Sequence, residues 1–288
     1  MHYQGGIKMK IKKKIAFIVG ILLTLLLVWI YTSFNGNFIS NFWVSHCAED
    51  YLEEKYSQYD YQLQGVQYSF KDGLYYAKII SPTSEDSRFS ISYDWLGNLQ
   101  WDSYESDVLE KFNTIRRIDE QYRKYTDHVL LSPQNSLPVT DICFGSVQEL
   151  DECEKMEDGT PLYEPFGIDV SHLKLDQVFD NKELGKQAGY LVIYLEDDDV
   201  SVEKTMQLLL ELRNYMDEKN VSFHAVDFHL RRPNDYAEVI NLIKFKYDDI
   251  YEMNLKERVE KSMKQTEYYY QELDNRKQKE IEASKAEN

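Results

Sequence analysis

The chain has 288 residues, of which 43% are hydrophobic and 29% charged, so it can form a packed core and lacks the composition of a disordered protein. Its 33 Lys+Arg against 50 Asp+Glu give a net charge of −17. A surface this acidic disfavours binding to nucleic-acid phosphates or anionic lipid headgroups. The length allows one or two domains.

An apolar segment near the N-terminus predicts a membrane anchor. Residues 15–34 contain no charged residue, and the next charge along the chain is Glu49. Five lysines precede this segment: Lys8, Lys10, Lys12, Lys13 and Lys14. About 20 apolar residues suffice to cross the bilayer core. Because the lysines lie on one side only, we expect a basic cytoplasmic tail over residues 1–14, a transmembrane helix over 15–34, and residues 35–288 outside the cytoplasm.

Two alternatives concern the same region. A cleaved signal peptide would have a shorter apolar run and small residues before its cleavage site, whereas this run ends with the bulky residues Val28-Trp29-Ile30-Tyr31. Gln4-Gly5-Gly6 can be encoded by a ribosome-binding sequence, so translation could start at Met9 as well as at Met1.

Removing the five lysines from the 33 Lys+Arg leaves 28 against 50 Asp+Glu, so residues 35–288 carry a charge of −22.

Residues 37–131 have the pattern of a small α+β domain. The apolar residues Ile39, Trp43, Cys47 and Tyr51 recur every four residues, with Phe42, Ala48 and Leu52 beside them, and predict the apolar stripe of an amphipathic helix. Alternating segments follow and predict two antiparallel hairpins that turn at residues 71–73 and 96–98. A second helix is predicted from an apolar stripe formed by Val108, Phe112, Ile115, Ile118, Tyr122, Tyr125 and Val129.

Residues 132–138 read as a linker, after which residues 139–260 predict a second α+β domain. The expected strands cover residues 139–150, 190–195, 222–230 and 238–247, and the expected helices cover 176–187 and 202–216. Residues 261–288 predict a charged C-terminal helix or tail. The predicted fold class is therefore α+β: a transmembrane helix followed by two small extracytoplasmic domains of helix plus antiparallel sheet. For the second domain, the order of elements also leaves a split arrangement open.

Short aromatic motifs in the first half of the chain resemble a known family. They are Asn35-Gly36-Asn37, Tyr51-Leu52-x-x-Lys55-Tyr56, Tyr68-Ser69-Phe70-Lys71-x-Gly73-x-Tyr75, Asp102-x-Tyr104 and Asn113-Thr114-x-Arg116-Arg117. These motifs resemble the YfjL-like proteins of Gram-positive bacteria, a membrane-anchored family of unknown function. The resemblance covers mainly residues 10–130 and implies a second family-specific domain over 138–260. The first domain also looks like PepSY-type or cystatin-like domains, which is an analogy of fold alone.

The chain contains no nucleophile elbow, zinc-protease, P-loop, C-x-x-C or dinucleotide-binding motif, and we assign no catalytic, cofactor or metal residue. Cys143 and Cys153 could close an 11-residue loop, which would stabilise the fold by about 3 kcal/mol. The alternative is that both, like Cys47, are reduced and buried.

Two charged segments have both a functional and a structural interpretation. The acidic run Glu196–Asp199 could hold Ca²⁺, or could cap the following helix through Asp199 or Ser201. Asp227 and His229 share one face of a predicted strand. They could form an Asp–His pair that acts as a catalytic base, or they could be solvated or packed side chains of the strand. His224 is expected on the other face of this strand.

The C-terminal helix carries Tyr268-Tyr269-Tyr270, which spans most of its circumference, so at least one ring should be exposed or partnered. We therefore expect a non-enzymatic, membrane-anchored extracytoplasmic binding or accessory protein with a possible protein partner, no nucleic acid and no cofactor. The alternatives are a ligand- or cation-binding module built on Asp197–Asp199, and an envelope hydrolase. The partner and the oligomeric state stay open.

Overall fold

A computed structural model describes residues 4–150, 163–234 and 238–286 of the protein. The chain divides into two compact units, Met1–Asn113 and Thr114–Asn288. This division lies before the predicted linker at 132–138. The reason is that the predicted second helix buries Ile115, Ile118 and Tyr122 in the core of the second unit.

The first unit begins with one long apolar helix, α1 (Gln4–Asn35). The large apolar side chains of residues 15–30 are 41–70% exposed, although they belong to the residue types that are normally buried. By length and composition this helix can cross a membrane.

The rest of the first unit is a helix packed on a four-stranded antiparallel sheet. Its elements are α2 (Phe38–Lys55), β1 (Gln62–Ser69), β2 (Leu74–Ile80), β3 (Arg88–Tyr93) and β4 (Leu99–Asp102). The strands pair in chain order, β1-β2-β3-β4, which confirms both predicted hairpins. Asn37 caps α2 by accepting a hydrogen bond from the Ser40 amide at 2.7 Å.

The predicted apolar face of α2 is confirmed in its C-terminal half, where Ala48 and Leu52 are buried and Cys47 and Tyr51 pack against the core, but not at Ile39 and Trp43. The side chains that α2 buries are Ser40, Val44, Ala48 and Leu52. Ile39 and Trp43, two members of the predicted stripe, are 66% and 52% exposed. The small residues Ser40 and Ala48 let the helix approach the sheet closely, which leaves the bulkier apolar side chains on its outer face.

The second unit contains four helices and a second four-stranded sheet among its described residues. Its named elements are α3 (Phe112–Leu130), whose first two residues lie before the division, β5 (Phe144–Val147), α4 (Asn181–Ala188), β6 (Gly189–Glu196), α5 (Val202–Glu218), β7 (Ala225–Arg231), β8 (Val239–Lys246) and α6 (Leu255–Ala286). The strand order is β5-β6-β7-β8.

The second sheet is mixed, which corrects the expectation of an antiparallel sheet. β6 pairs with β7 in parallel, whereas β5–β6 and β7–β8 are antiparallel. α5 connects the two parallel strands, because parallel neighbours need a crossover connection that a tight turn cannot provide. Leu208, Leu209 and Leu212 of α5 pack in the same core as the buried face of this sheet.

Three predicted boundaries in the second unit differ from the structure. The strand expected over 139–150 is shortened to β5, because a turn at Asp141 and Ile142 interrupts it. The helix expected over 176–187 begins only at Asn181, because Asp180 acts as its N-cap and accepts hydrogen bonds from the amides of Lys182 and Glu183. The strand expected from residue 222 begins at Ala225. α6 begins at Leu255, before the segment 261–288 that was expected to be a charged helix or tail, and continues through it as one helix to Ala286.

Candidate functional site

Motif residues of the first unit converge on the carboxylate of Asp102. Its Oδ2 accepts hydrogen bonds from Tyr51 Oη at 2.9 Å, Lys55 Nζ at 2.9 Å and Tyr56 Oη at 2.7 Å. Its Oδ1 accepts the Tyr104 amide at 2.9 Å. Burial alone would raise the pKa of Asp102, but these hydrogen bonds outweigh burial and hold that pKa below its usual value. The hydrogen bonds therefore join the motif Tyr51-Leu52-x-x-Lys55-Tyr56 to the motif Asp102-x-Tyr104 in one charge-assisted network.

A second motif cluster lies where α1 passes into α2. Gly36 has φ +69°, and a Cβ there would lie 2.7 Å from Tyr68 Cγ and 2.9 Å from Tyr75 Oη. The Asn37 amide donates to Tyr75 Oη at 2.9 Å, and the Tyr68 and Tyr75 rings are 5.0 Å apart. Both clusters therefore have a structural role: they fix α2 to the sheet and set its direction after α1.

One end of the first unit is covered with exposed apolar side chains. We call it the tip surface, and each of its members is at least half exposed: Phe34, Phe38, Ile39, Phe42, Trp43, Phe70, Trp95 and Leu96. Phe70 and Trp95 lie at the β1–β2 and β3–β4 turns. The Phe34 and Phe70 rings are 6.0 Å apart, and Trp43 Nε1 donates to the Leu96 carbonyl at 2.8 Å. Apolar patches of this kind are typical of interaction surfaces.

In the second unit, Asp227 and His229 do share one face of β7, as predicted, since both are partly exposed between fully buried neighbours. They have different partners, however. His229 Nδ1 lies 2.8 Å from Asn241 Oδ1, and its ring stacks on Tyr194 at 4.4 Å. Asp227 Oδ1 accepts the Lys244 amide at 2.6 Å. Each of the two side chains is thus hydrogen-bonded to its own partner on β8, and the two do not form an Asp–His catalytic pair.

The role of Asp227 follows from an irregularity in the sheet. The β7–β8 register shifts between Val226 and Phe228, and Lys244, on the opposite strand, has φ +51°. Such a bulge leaves a backbone amide without its ladder partner, and Asp227 supplies the acceptor. Burial raises the pKa of Asp227, although the hydrogen bond from Tyr190 and the Lys244 amide act in the opposite direction.

His224 lies before β7 and not within it. Its Nδ1 is 2.9 Å from the Lys186 carbonyl, and its ring stacks on Phe166 at 4.4 Å. It therefore takes no part in the Asp227–His229 face.

The acidic loop between β6 and α5 is organised by helix capping. Ser201, one of the two predicted caps, accepts the Lys204 amide, and Asp197 binds Lys204 Nζ at 2.9 Å. The Asp199 amide and Lys204 lower the pKa of Asp197. Within residues 4–150, 163–234 and 238–286, no group of three or more His, Cys, Asp or Glu side chains has an arrangement that could hold a metal ion.

The cysteines and C-terminal tyrosines are placed as follows. Cys143 is buried and its Sγ accepts the Tyr194 amide at 3.3 Å, whereas Cys47 is a partly exposed free thiol on α2. Cys153 lies outside the described residues, so its pairing with Cys143 stays a prediction. Tyr268 and Tyr270 are exposed on α6.

Sequence reasoning missed a cavity of about 590 Å³ beside β8 and α6. Its charged lining residues are the cations Lys244, Lys246, Arg258 and Lys261 and the acids Glu164 and Asp249. Several are already partnered: Lys246 pairs with Glu164, and Lys244 Nζ donates to Gln148 Oε1 at 2.9 Å. An excess of cations in so acidic a chain could have pointed to it, but the residues are spread over distant segments.

Comparison with known proteins identifies the two halves. Residues 11–103 match the profile described as "YfjL-like, N-terminal domain", and residues 121–260 match the "YfjL-like C-terminal domain". No curated protein and no solved structure matches the chain. The predicted resemblance is confirmed at the level of its domains: this chain is composed of a YfjL-like N-terminal domain followed by a YfjL-like C-terminal domain.

Proposed function

We propose that this chain is a single-pass membrane protein whose N-terminus is cytoplasmic and whose YfjL-like domains act outside the cytoplasm as a non-enzymatic binding or accessory module. The observation that carries the proposal is α1. Its large apolar side chains over residues 15–30 have no protein core to cover them, and exposing them to water would be strongly unfavourable. A bilayer supplies the missing apolar surroundings.

The charge distribution supports the orientation. Five lysines precede the apolar segment, and no lysine or arginine follows it before Lys55. Lysines next to a span favour the cytoplasmic side, while acidic residues contribute little to orientation.

Cysteine labelling in intact cells tests the anchor and its orientation together. Lys13→Cys and Glu53→Cys introduce exposed thiols on the two sides of the span. With a membrane-impermeant maleimide, Glu53→Cys should be labelled above the wild-type level, and Lys13→Cys only after permeabilisation. The reverse pattern would contradict the orientation, and recovery of the chain in the soluble fraction would contradict the anchor.

A protein partner is proposed to contact α6, because Tyr268 and Tyr270 are exposed there and tyrosine is enriched in interfaces. A photoreactive phenylalanine derivative at position 268 should yield one defined adduct in intact cells. The same residue at exposed Lys277, further along α6, is the matched control. Equal adducts at both positions, or none at position 268, would remove support for this contact.

A second candidate function is small-ligand binding, for which the cavity in the second unit is the specific observation. Its volume lies in the range of ligand sites, and its cationic lining favours an anion over Ca²⁺. Thermal unfolding of the full chain in detergent distinguishes anion binding in the cavity from Ca²⁺ binding at the acidic loop. Inorganic phosphate should stabilise the wild type but not Lys261→Gln, whereas stabilisation by Ca²⁺ would favour the acidic loop instead.

A further inference from the structure

The tip surface lies at the end of the first unit that is nearest to α1. In an antiparallel sheet paired in chain order, the β1–β2 and β3–β4 turns occupy the same end. Phe34, in the last turn of α1, contacts Phe70 at one of these turns. Trp43 of α2 is hydrogen-bonded to Leu96 at the other. The exposed aromatic side chains of both turns and of α2 therefore continue directly from the apolar helix.

We propose that the tip surface is a membrane-docking surface that rests in the headgroup region of the same bilayer that α1 crosses. This inference rests on the proposed membrane anchor. The YfjL-like N-terminal domain would then lie against the bilayer in a fixed orientation, with Phe70 and Trp95 inserted as side chains of the two turns.

The chemistry of the surface favours lipid over another protein. Its members are phenylalanine, tryptophan and aliphatic residues. Tryptophan is enriched at the membrane–water interface, and tryptophan, phenylalanine and leucine form the apolar face of helices that lie in it. No charged residue occurs between Lys14 and Glu49, so the outer face of α2 up to Ala48 is uncharged in a chain that is otherwise strongly acidic. A helix lying in the interface buries such an apolar face at the level of the acyl-chain boundary.

The connection to α1 supports the same occupant. Only Gly36 and Asn37 separate α1 from α2, so the first turn of α2 is within a few ångströms of the end of the span. The cluster around Gly36 and Tyr75 fixes the chain there. A partner protein would have to fit between this surface and the bilayer.

Tryptophan fluorescence in the full chain provides the test, because all four tryptophans, Trp29, Trp43, Trp95 and Trp101, belong to the first unit. The chain is reconstituted into vesicles of zwitterionic phospholipid with or without bromine on the acyl chains, since bromine quenches nearby indoles. Three variants with a single tryptophan are compared. The first keeps only Trp95, the second keeps only Trp29, and the third has all four native tryptophans replaced and Tyr59→Trp introduced. Tyr59 precedes β1 and lies at the opposite end of the sheet, roughly 25 Å away.

If the surface docks, Trp95 loses most of its emission in brominated lipid, as Trp29 does, while Tyr59→Trp keeps its emission. Quenching of Trp29 without quenching of Trp95 would overturn the docking inference and leave the anchor intact. Absence of quenching at both would refute the anchor as well. Quenching at all three positions would mean unspecific adsorption and would also overturn the inference.

The single-tryptophan variants all lack Trp43 and therefore its hydrogen bond to the Leu96 carbonyl, which could disturb the fold. A further variant controls for this effect. Trp95→Phe in the otherwise unchanged chain retains this bond. It should reduce the part of the emission that brominated lipid quenches. An unchanged quenched part would contradict docking through Trp95.

Discussion

At the scale of single residues, Asp102 connects the sequence motifs to the stability of the first unit. Its side chain is 11% exposed and accepts four hydrogen bonds, two from tyrosines, one from Lys55 and one from the Tyr104 amide. The YfjL-like motifs of this half therefore describe a structural network as well as a family resemblance.

Asp102→Asn should destabilise the first unit by about 2–3 kcal/mol, because hydrogen bonds to a charged group contribute more than neutral ones. The pKa of Asp102 is lowered in the fold. The stability it provides is therefore present above the ordinary aspartate pKa and is lost as the pH falls through the lowered value. Denaturant unfolding at several pH values measures both effects, with Tyr51→Phe, which removes one donor, as the milder control. Equal stability of Asp102→Asn and the wild type at pH 7 would contradict the prediction.

Asp227 should behave in the opposite way. Its pKa is raised, so its charged form costs stability above the ordinary aspartate pKa, and this cost disappears as the pH falls below it. Asp227→Asn keeps an oxygen for the Lys244 amide and should be at least as stable as the wild type at pH 7. Asp227→Ala leaves that amide without its acceptor and should lose about 1–3 kcal/mol. Equal losses in both variants, measured by denaturant unfolding, would refute a bulge-capping role.

At the scale of elements, the passage from α1 to α2 depends on a glycine. Gly36→Ala should lose about 1–2 kcal/mol for its left-handed backbone and more for contacts with Tyr68 and Tyr75. Gly73 has φ +75°, but a Cβ there meets no atom within 4 Å, so Gly73→Ala is the matched control for backbone strain alone. Thermal unfolding should rank Gly36→Ala clearly below Gly73→Ala. Equal melting temperatures would contradict the packing argument.

The elements also show what the sequence could and could not predict. Periodicity and turn residues identified α1, both hairpins and α5 with its Ser201 cap, because these depend on local signals. The apolar face of α2 was predicted correctly around Ala48 and Leu52 but not at Ile39 and Trp43, since both faces of its N-terminal half carry apolar residues and periodicity alone cannot choose between them. The parallel pairing of β6 with β7 depends on contacts between strands that are distant in sequence.

The same distinction between local signals and long-range contacts applies to the candidate sites. The shared face of Asp227 and His229 could be predicted from the two-residue period of a strand. Their actual partners could not, because Lys244 and Asn241 come from β8, where a bulge displaces the register. The lining of the cavity similarly combines residues before β6 with residues of β8 and α6.

At the scale of the whole molecule, the charge of −22 on residues 35–288 and the apolar tip surface act against each other at an anionic bilayer. If docking is apolar, Trp95 in zwitterionic vesicles should be quenched to the same extent at low and high salt. Adding anionic phospholipid at low salt should reduce the quenching, and raising the salt to 0.1 M or more should restore it, because charges are then screened beyond about 10 Å. Trp29, which lies within the proposed span, is the control and should not change. Stronger quenching of Trp95 by anionic lipid would mean that cations, and not the aromatic turns, hold the unit to the membrane.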